Sequence, residues 1–249
     1  MKGRDGLLVF AKAPVKGLVK TRLKAGTPLC DREVLRLYES FLADVLAAAE
    51  RTEADQIYLS YHPAGSGNVM EGFVGERGPA GVRLFPQEGR DFDERFTKAV
   101  ESVLRECQSV IVIGSDLPHI QPRTINRGFG FLRREGGMVL GPSGEGGVYL
   151  VGVTRPLDFT GVFTAGVEMD NLTGLARKRG LRLLLLEELT DIDVAGDLAT
   201  FICAIQAMEY AAECGDYQLP RNTIQTVREM GLEVRAQRGG ERNRRIVKR

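Results

Sequence analysis

The sequence predicts an α/β protein built on a mostly parallel sheet with helices on both faces. Short apolar, β-branched or Leu-rich runs alternate with stretches of helical periodicity. One run, Ser109–Gly114 (SVIVIG), is apolar throughout, as a central strand covered on both sides requires. The charged residues best suited to chemistry fall directly after such runs, where open α/β sheets bind ligands.

In chain order, Leu7–Ala11 reads as the first strand. Asp31 is placed to cap a helix in which Val34, Leu35, Tyr38, Phe41, Leu42, Val45, Leu46 and Ala49 recur at steps of three and four. Gln56–Tyr61 is a second strand, and the Gly-rich, polar stretch His62–Gly81 reads as a loop. A short strand at Val82–Phe85 precedes a helix near Asp93–Cys107, which puts Phe96, Val100, Val103 and Leu104 on one face. After Ser109–Gly114, Pro122 suits the first turn of a helix running to about Arg134. Strands at Met138–Leu140 and Val148–Val153 flank GPSGEGG. A helix near Val167–Arg179, a strand at Leu181–Leu186 and helices over about Ala195–Ala212 and Asn222–Met230 follow. One domain over residues 1–234 is expected, with a basic, disordered tail over 235–249.

Composition narrows the function. Hydrophobic content of 43% and charged content of 27% are those of a globular protein, and no apolar run nears the ~18 residues of a membrane span. MKGRDG does not open a signal peptide, and the four cysteines lack the CxxC spacing of a zinc site. Reduced thiols and a cytoplasmic location are expected, with no membrane partner. Net charge is +1, yet residues 235–249 hold seven Lys or Arg against the single acid Glu241. The tail cations could contact nucleic-acid phosphates, but no aromatic interleaves them and the body is net acidic, so a solvated tail is favoured over nucleic-acid binding.

Against that acidic body, FAKAPVKGLVKTRLK (Phe10–Lys24) gathers Lys12, Lys16, Lys20, Arg22 and Lys24 with no acid. With Gly17 supplying backbone freedom, such a loop suits phosphates; a solvated surface loop would share the composition, and the stretch matches neither GxxxxGK[ST] nor GxGxxG. After the buried strand comes GSDLPHI, where Asp116 could hold a divalent metal or cap the turn before Pro118. His119 beside it reads as a turn residue. In GPSGEGGVYLVGV, glycines around Glu145 would let backbone approach a ligand, although a plain hairpin looks similar. In DIDVAGDL, Asp191 and Asp193 are two apart, so an extended segment turns both carboxylates one way; one of them could instead cap the following helix.

Together these stretches resemble a GT-A-like family of uncharacterised bacterial and archaeal transferases, the nucleotide-diphospho-sugar transferases, distant relatives of 2-phospho-lactate and molybdenum-cofactor guanylyltransferases. The family opening FAKxPxxGxVKTRL is matched by Phe10–Leu23. GSDxP is matched at Gly114–Pro118, GPxxDGGYYLIG at Gly141–Gly152 and DxDxxxDL at Asp191–Leu198. QxGxDLGERM corresponds to Gln87–Phe96, with Gln87, Asp91, Glu94 and Arg95 retained. The resemblance implies a three-layer Rossmann-like GT-A fold with a mostly parallel mixed sheet. It also implies a nucleoside triphosphate or nucleotide-sugar bound through Mg²⁺ or Mn²⁺, and a small-molecule acceptor; a second copy of the chain is a further candidate partner.

Carried over by position, Lys12, Gly17, Lys20, Thr21, Arg22, Gln87 and Arg95 would contact nucleotide phosphates. Lys20, Arg22 and Asp116 would form the catalytic set. Asp116, Asp193 and Asp191 would hold the metal, and Glu145, Gly146 and Gly147 would face the acceptor. The chain departs from the family pattern at Glu145 (for Asp), Val148 (for Tyr), Asp93 (for Gly) and Phe163–Ala165 (FTA for WST), all on the expected acceptor side. The basic loop leans the expectation towards nucleotidyl transfer from an NTP to a small phosphorylated acceptor. Glycosyl transfer and a non-catalytic nucleotide-binding regulator are the alternatives.

Overall fold

A computed structural model describes residues 3–236 and 244–249. In chain order the elements are β1 (Asp5–Lys12), α1 (Thr21–Lys24), α2 (Asp31–Glu50), β2 (Gln56–His62), α3 (Gly67–Arg77), β3 (Arg83–Pro86) and α4 (Phe92–Leu104). There follow β4 (Ser109–Gly114), α5 (Pro122–Glu135), β5 (Met138–Pro142), β6 (Val148–Val153), α6 (Glu168–Lys178) and β7 (Leu183–Leu185). The chain closes with α7 (Ala195–Cys214), α8 (Arg221–Glu229), β8 (Leu232–Ala236) and β9 (Arg244–Lys248). Seven strands form one sheet in the order β3-β2-β1-β4-β6-β5-β7, in which β6 alone runs against its neighbours. The mixed, mostly parallel α/β sheet expected from the sequence is present.

Strand alternation builds the layers. In β1, Leu7, Val9 and Ala11 face a core completed by α2, α3 and α5, while Leu8 faces a second core under α4 and α6. A third core lies beside the sheet, where Leu23, Phe41, Phe201, Ile224, Leu232 and Ile246 meet. Its polar anchor is Asp44, a buried carboxylate on α2 that accepts hydrogen bonds from the backbone N–H groups of Asn222 (3.1 Å) and Thr223 (2.8 Å). It thereby caps α8, whose own N-cap position is held by Pro220. Replacing Asp44 by Ala strands two donors at a helix start, and urea unfolding should register a loss of about 1–3 kcal/mol.

Three expectations are corrected. The stretch 62–81 is not a loop: it holds a 3₁₀ turn and α3, whose Met70 and Phe73 enter the first core. Its glycines hid a helix that burial, not propensity, stabilises. The residue at the α2 N-cap is Cys30 rather than Asp31, with Glu33 accepting the Cys30 backbone N–H at 2.9 Å. The expected disordered tail is, in its described residues, an antiparallel ribbon of β8 and β9: Ile246 is buried and Lys248 pairs with Glu33 at 2.5 Å. Residues 237–243 lie outside the described residues, Arg238, Glu241 and Arg242 among them. All four cysteines are free. Among the described residues no helix is long and apolar enough to cross a membrane.

Candidate active site

The carboxyl ends of β1, β2 and β4 open into a cleft of about 530 Å³. Every residue singled out for the site borders it except Gly17. Gly17 instead turns the chain at φ 81°, with open space where a Cβ would stand, so its contribution is conformational.

At one pole, Lys20 sits between two acids. Its ammonium is 2.6 Å from Asp116 and 2.5 Å from Asp193, with only 4% of the side chain exposed. Burial works against the charged lysine, but the two carboxylates outweigh it and hold its pKa above the ordinary value. Asp193 is likewise lowered: burial opposes its charge, and Lys20 followed by Arg22 prevails. Arg22 reaches Asp193 at 2.7 Å from a largely exposed position. Lys20 holds this place from a left-handed backbone, φ 48° and ψ 38°, at the cap of the four-residue α1. The opening loop therefore does not present free cations throughout; two of them are paired with the acidic clusters.

Asp116 is oriented from behind. The Ser115 hydroxyl donates to Asp116 Oδ1 at 3.1 Å. Tyr38, fully enclosed on α2, donates to the Lys12 carbonyl at 2.6 Å and lies 3.2 Å from Ser115 Oγ. Ile192, buried between Asp191 and Asp193, donates its N–H to the Asp116 carbonyl at 3.0 Å and so brings DIDVAGDL to β4. Both Asp191 and Asp193 border the cleft, as their spacing predicts; neither caps α7, because Asp197 reaches back to the N–H groups of Asp193 and Val194. Burial, reinforced by Asp193, raises the Asp191 carboxyl.

The opposite wall carries the departures from the family pattern. Glu145 is left-handed at φ 59°, a conformation in which Asp is several-fold enriched and Glu is not. Gly146 follows at φ 78°, where a Cβ would strike the Val167 side chain at 2.6 Å. Glu168 receives the Val148 N–H at 3.1 Å, and burial raises its carboxyl. Asp93 is buried and accepts from the Gly161 and Phe163 N–H groups, each at 2.8 Å, and from the Thr164 hydroxyl. The loop it holds presents Phe163 against Phe92 (5.1 Å between centroids) and Phe96 (4.6 Å).

Gln87 departs from its expected part. Its amide donates to the carbonyls of Ala11 (3.1 Å) and Ser60 (3.0 Å), so its donors are committed to joining strand ends rather than to a phosphate. Lys12, His62 and Arg95 also border the cleft, and none has a carboxylate within ion-pair distance among the described residues. Sequence reasoning missed Tyr38, Ser115, His62, Glu168 and the aromatic wall. Tyr38 carried only a helix-periodicity signal, because its hydroxyl partners come from β1 and the turn after β4. His119 lies apart, packed 6.0 Å from Phe201.

Residues 45–166 match the family model described as "Uncharacterized protein conserved in bacteria (DUF2064)". The matched segment is just under half of the chain, and the opening motif precedes it. A crystal structure from Desulfovibrio desulfuricans G20, described as a "putative nucleotide-diphospho-sugar transferase", is 25% identical; the match covers 90% of this chain and 97% of that one, with a TM-score of 0.75. A cytidylyltransferase from Leptospira borgpetersenii matches at 13% identity over 91% of this chain and 94% of its own, TM-score 0.53. A CMP:2-keto-3-deoxy-manno-octonic acid synthetase complexed with CTP matches at 11% over 83% and 99%, TM-score 0.52. The last two show the fold alone. No curated protein matches the chain. The resemblance drawn from the motifs is borne out, and the GT-A-like fold with it.

Proposed function

We propose that the chain is a transferase that takes a nucleotidyl group from a nucleoside triphosphate, with Mg²⁺ or Mn²⁺, and passes it to a small anionic acceptor. The observation that carries this reading is the convergence of Asp116 and Asp193 on one cation position, with Lys20 and Arg22 beside it at the carboxyl end of the sheet.

The residues fit a hard divalent metal. Two carboxylate oxygens meet within 2.6 Å of one point, their side chains are 29% and 30% exposed, and Asp191 stands near with no ion pair among the described residues. Among the described residues no three acids, histidines or cysteines cluster as a closed metal cage. Mg²⁺ does not need one, since it usually takes one or two carboxylates and completes its shell with water and phosphate oxygens. Asp116 and Asp193 would hold the metal, which would supply positive charge to offset that of the phosphates.

The chain's own groups supply the rest. Lys20 and Arg22 leave their carboxylates for the β- and γ-phosphates and steady the charge that grows on departing pyrophosphate. Asp116 is kept in position by Ser115 and Tyr38. An acceptor oxygen attacks the α-phosphorus, the α–β P–O bond breaks, and its electron pair leaves with pyrophosphate. An anionic acceptor brings no proton to remove, and none of the described cleft residues is required as a base.

Calorimetric titration of the four NTPs and of UDP- and GDP-sugars, with and without Mn²⁺, tests the reading. Tight, metal-dependent NTP binding is the expected result; preference for a nucleotide-sugar would favour glycosyl transfer. Absence of any donor binding would favour a degenerate, non-catalytic descendant. In the same titration Arg22→Ala should weaken NTP binding about tenfold with an unchanged melting temperature, because its side chain is 70% exposed and packs no core. Equal affinity would remove Arg22 from the phosphate site.

A further inference from the structure

The two edges of the sheet are finished differently. At one, β3 carries Arg83 and Pro86, a charge and a residue without an N–H, both of which discourage a further strand. At the other, β7 is Leu183-Leu184-Leu185, with neither device. Leu184 packs against the first core, whereas Leu183 and Leu185, on the opposite face, are 39% and 51% exposed.

The backbone of this edge is open as well. The Arg182 carbonyl accepts the Met138 N–H at 2.8 Å, and the Leu186 N–H donates to the Leu140 carbonyl at 2.9 Å, so these residues turn towards β5. Alternation then points the N–H and C=O groups of Leu183 and Leu185 outward, where no strand among the described residues receives them. Free ladder groups beside exposed leucines are a template for another strand.

Charge names that strand. The run RKRGLRLLLLEE (Arg177–Glu188) is basic before β7 and acidic after it. Arg182 is paired with Glu135 and Glu187 with Arg127, but Lys178, Arg179 and Glu188 are exposed with no ion pair among the described residues. Set antiparallel to itself about Leu184, the run brings Glu188 to the level of Arg179 and Gly180 of a second copy. A parallel arrangement would bring like charges together.

We propose that β7 is a dimerisation edge: two copies of the chain pair β7 to β7, antiparallel about a two-fold axis at Leu184, and join their sheets into one. Each Leu183 exchanges backbone hydrogen bonds with the facing Leu185, and the two side chains cover one another. No residue of β7 borders the cleft, so the inference is independent of the transfer reading. One short strand and its flanks make a small contact, and a reversible dimer is expected.

Sedimentation equilibrium of the full chain, from micromolar to millimolar concentration, tests it. A monomer–dimer equilibrium is the expected result, and Leu185→Lys should weaken it at least tenfold with an unchanged circular dichroism spectrum. Glu188→Arg and Arg179→Glu should each weaken the dimer about fivefold, and an equimolar mixture of the two should restore it. These charge variants serve should Leu185→Lys fail to fold. The Leu183 and Leu185 amides should exchange more slowly as concentration rises, while Leu186, already bonded to Leu140, stays unchanged. A parent chain that remains monomeric overturns the proposal and leaves the edge to a strand of another protein. A dimer indifferent to Leu185→Lys, or one that leaves both leucine amides unprotected, places the interface elsewhere and overturns it too. A mixture that fails to restore the dimer overturns the antiparallel register.

Discussion

Lys20→Met is expected to lower turnover by about 10²–10³, the usual loss when one preorganised charge donor is removed. The same variant should bind Mn²⁺ without nucleotide at least tenfold more tightly than the parent chain. Both effects follow from one contact. The Lys20 ammonium occupies the point on which Asp116 and Asp193 converge, so a metal ion and Lys20 cannot hold it together. Metal alone must displace a buried lysine that has no phosphate to receive it; phosphate alone meets two carboxylates. On the proposed reading, arriving together would give each charge a partner and make the site a detector of coincidence. Pyrophosphate release measures the turnover, and electron paramagnetic resonance of free Mn²⁺ measures the binding. Equal Mn²⁺ affinity in the two proteins would place the metal elsewhere.

Asp93→Ala should cost on the order of 3 kcal/mol, because two backbone N–H groups and a hydroxyl lose their acceptor inside the protein. For a chain of this size that is about 10 °C in melting temperature by calorimetry. Asn171, whose amide donates to the carbonyls of Gly161, Val162 and Ala165, would remain as a second tether. An unchanged melting temperature would mean that this tether alone holds the loop.

These two sites also mark what the sequence could convey. Period-two alternation in Leu7–Ala11 and the unbroken SVIVIG run identify strands because burial on two faces leaves a direct trace in residue type. The Asp191–Asp193 spacing survived for the same reason: it is local. What failed was non-local. The glycines of α3 read as a loop because Met70 and Phe73, with Val74 beside them, hold that helix from under the sheet edge. The β8–β9 ribbon was hidden by its own arginines, since Lys248 finds its partner Glu33 215 positions away and Leu232 and Ile246 are buried only where α7 and α8 pack against them. Asp93 and Phe163–Ala165 looked like separate departures, yet a single carboxylate joins them.

Tyr38 divides the cleft into a stiff half and an adjustable one. One phenol on α2 binds the end of β1 through the Lys12 carbonyl and reaches the turn after β4 through Ser115, so the backbone that carries Asp116 cannot splay from the strand beside it. The wall formed by Ser143–Gly147 and Phe163–Glu168 has no such tie to those strand ends among the described residues. Substitutions there can accumulate without moving the acids. On the proposed reading, a lineage built on this plan can exchange the molecule it modifies while the machinery for the donor stays fixed, with Glu145, Val148 and the FTA segment the first places for that exchange.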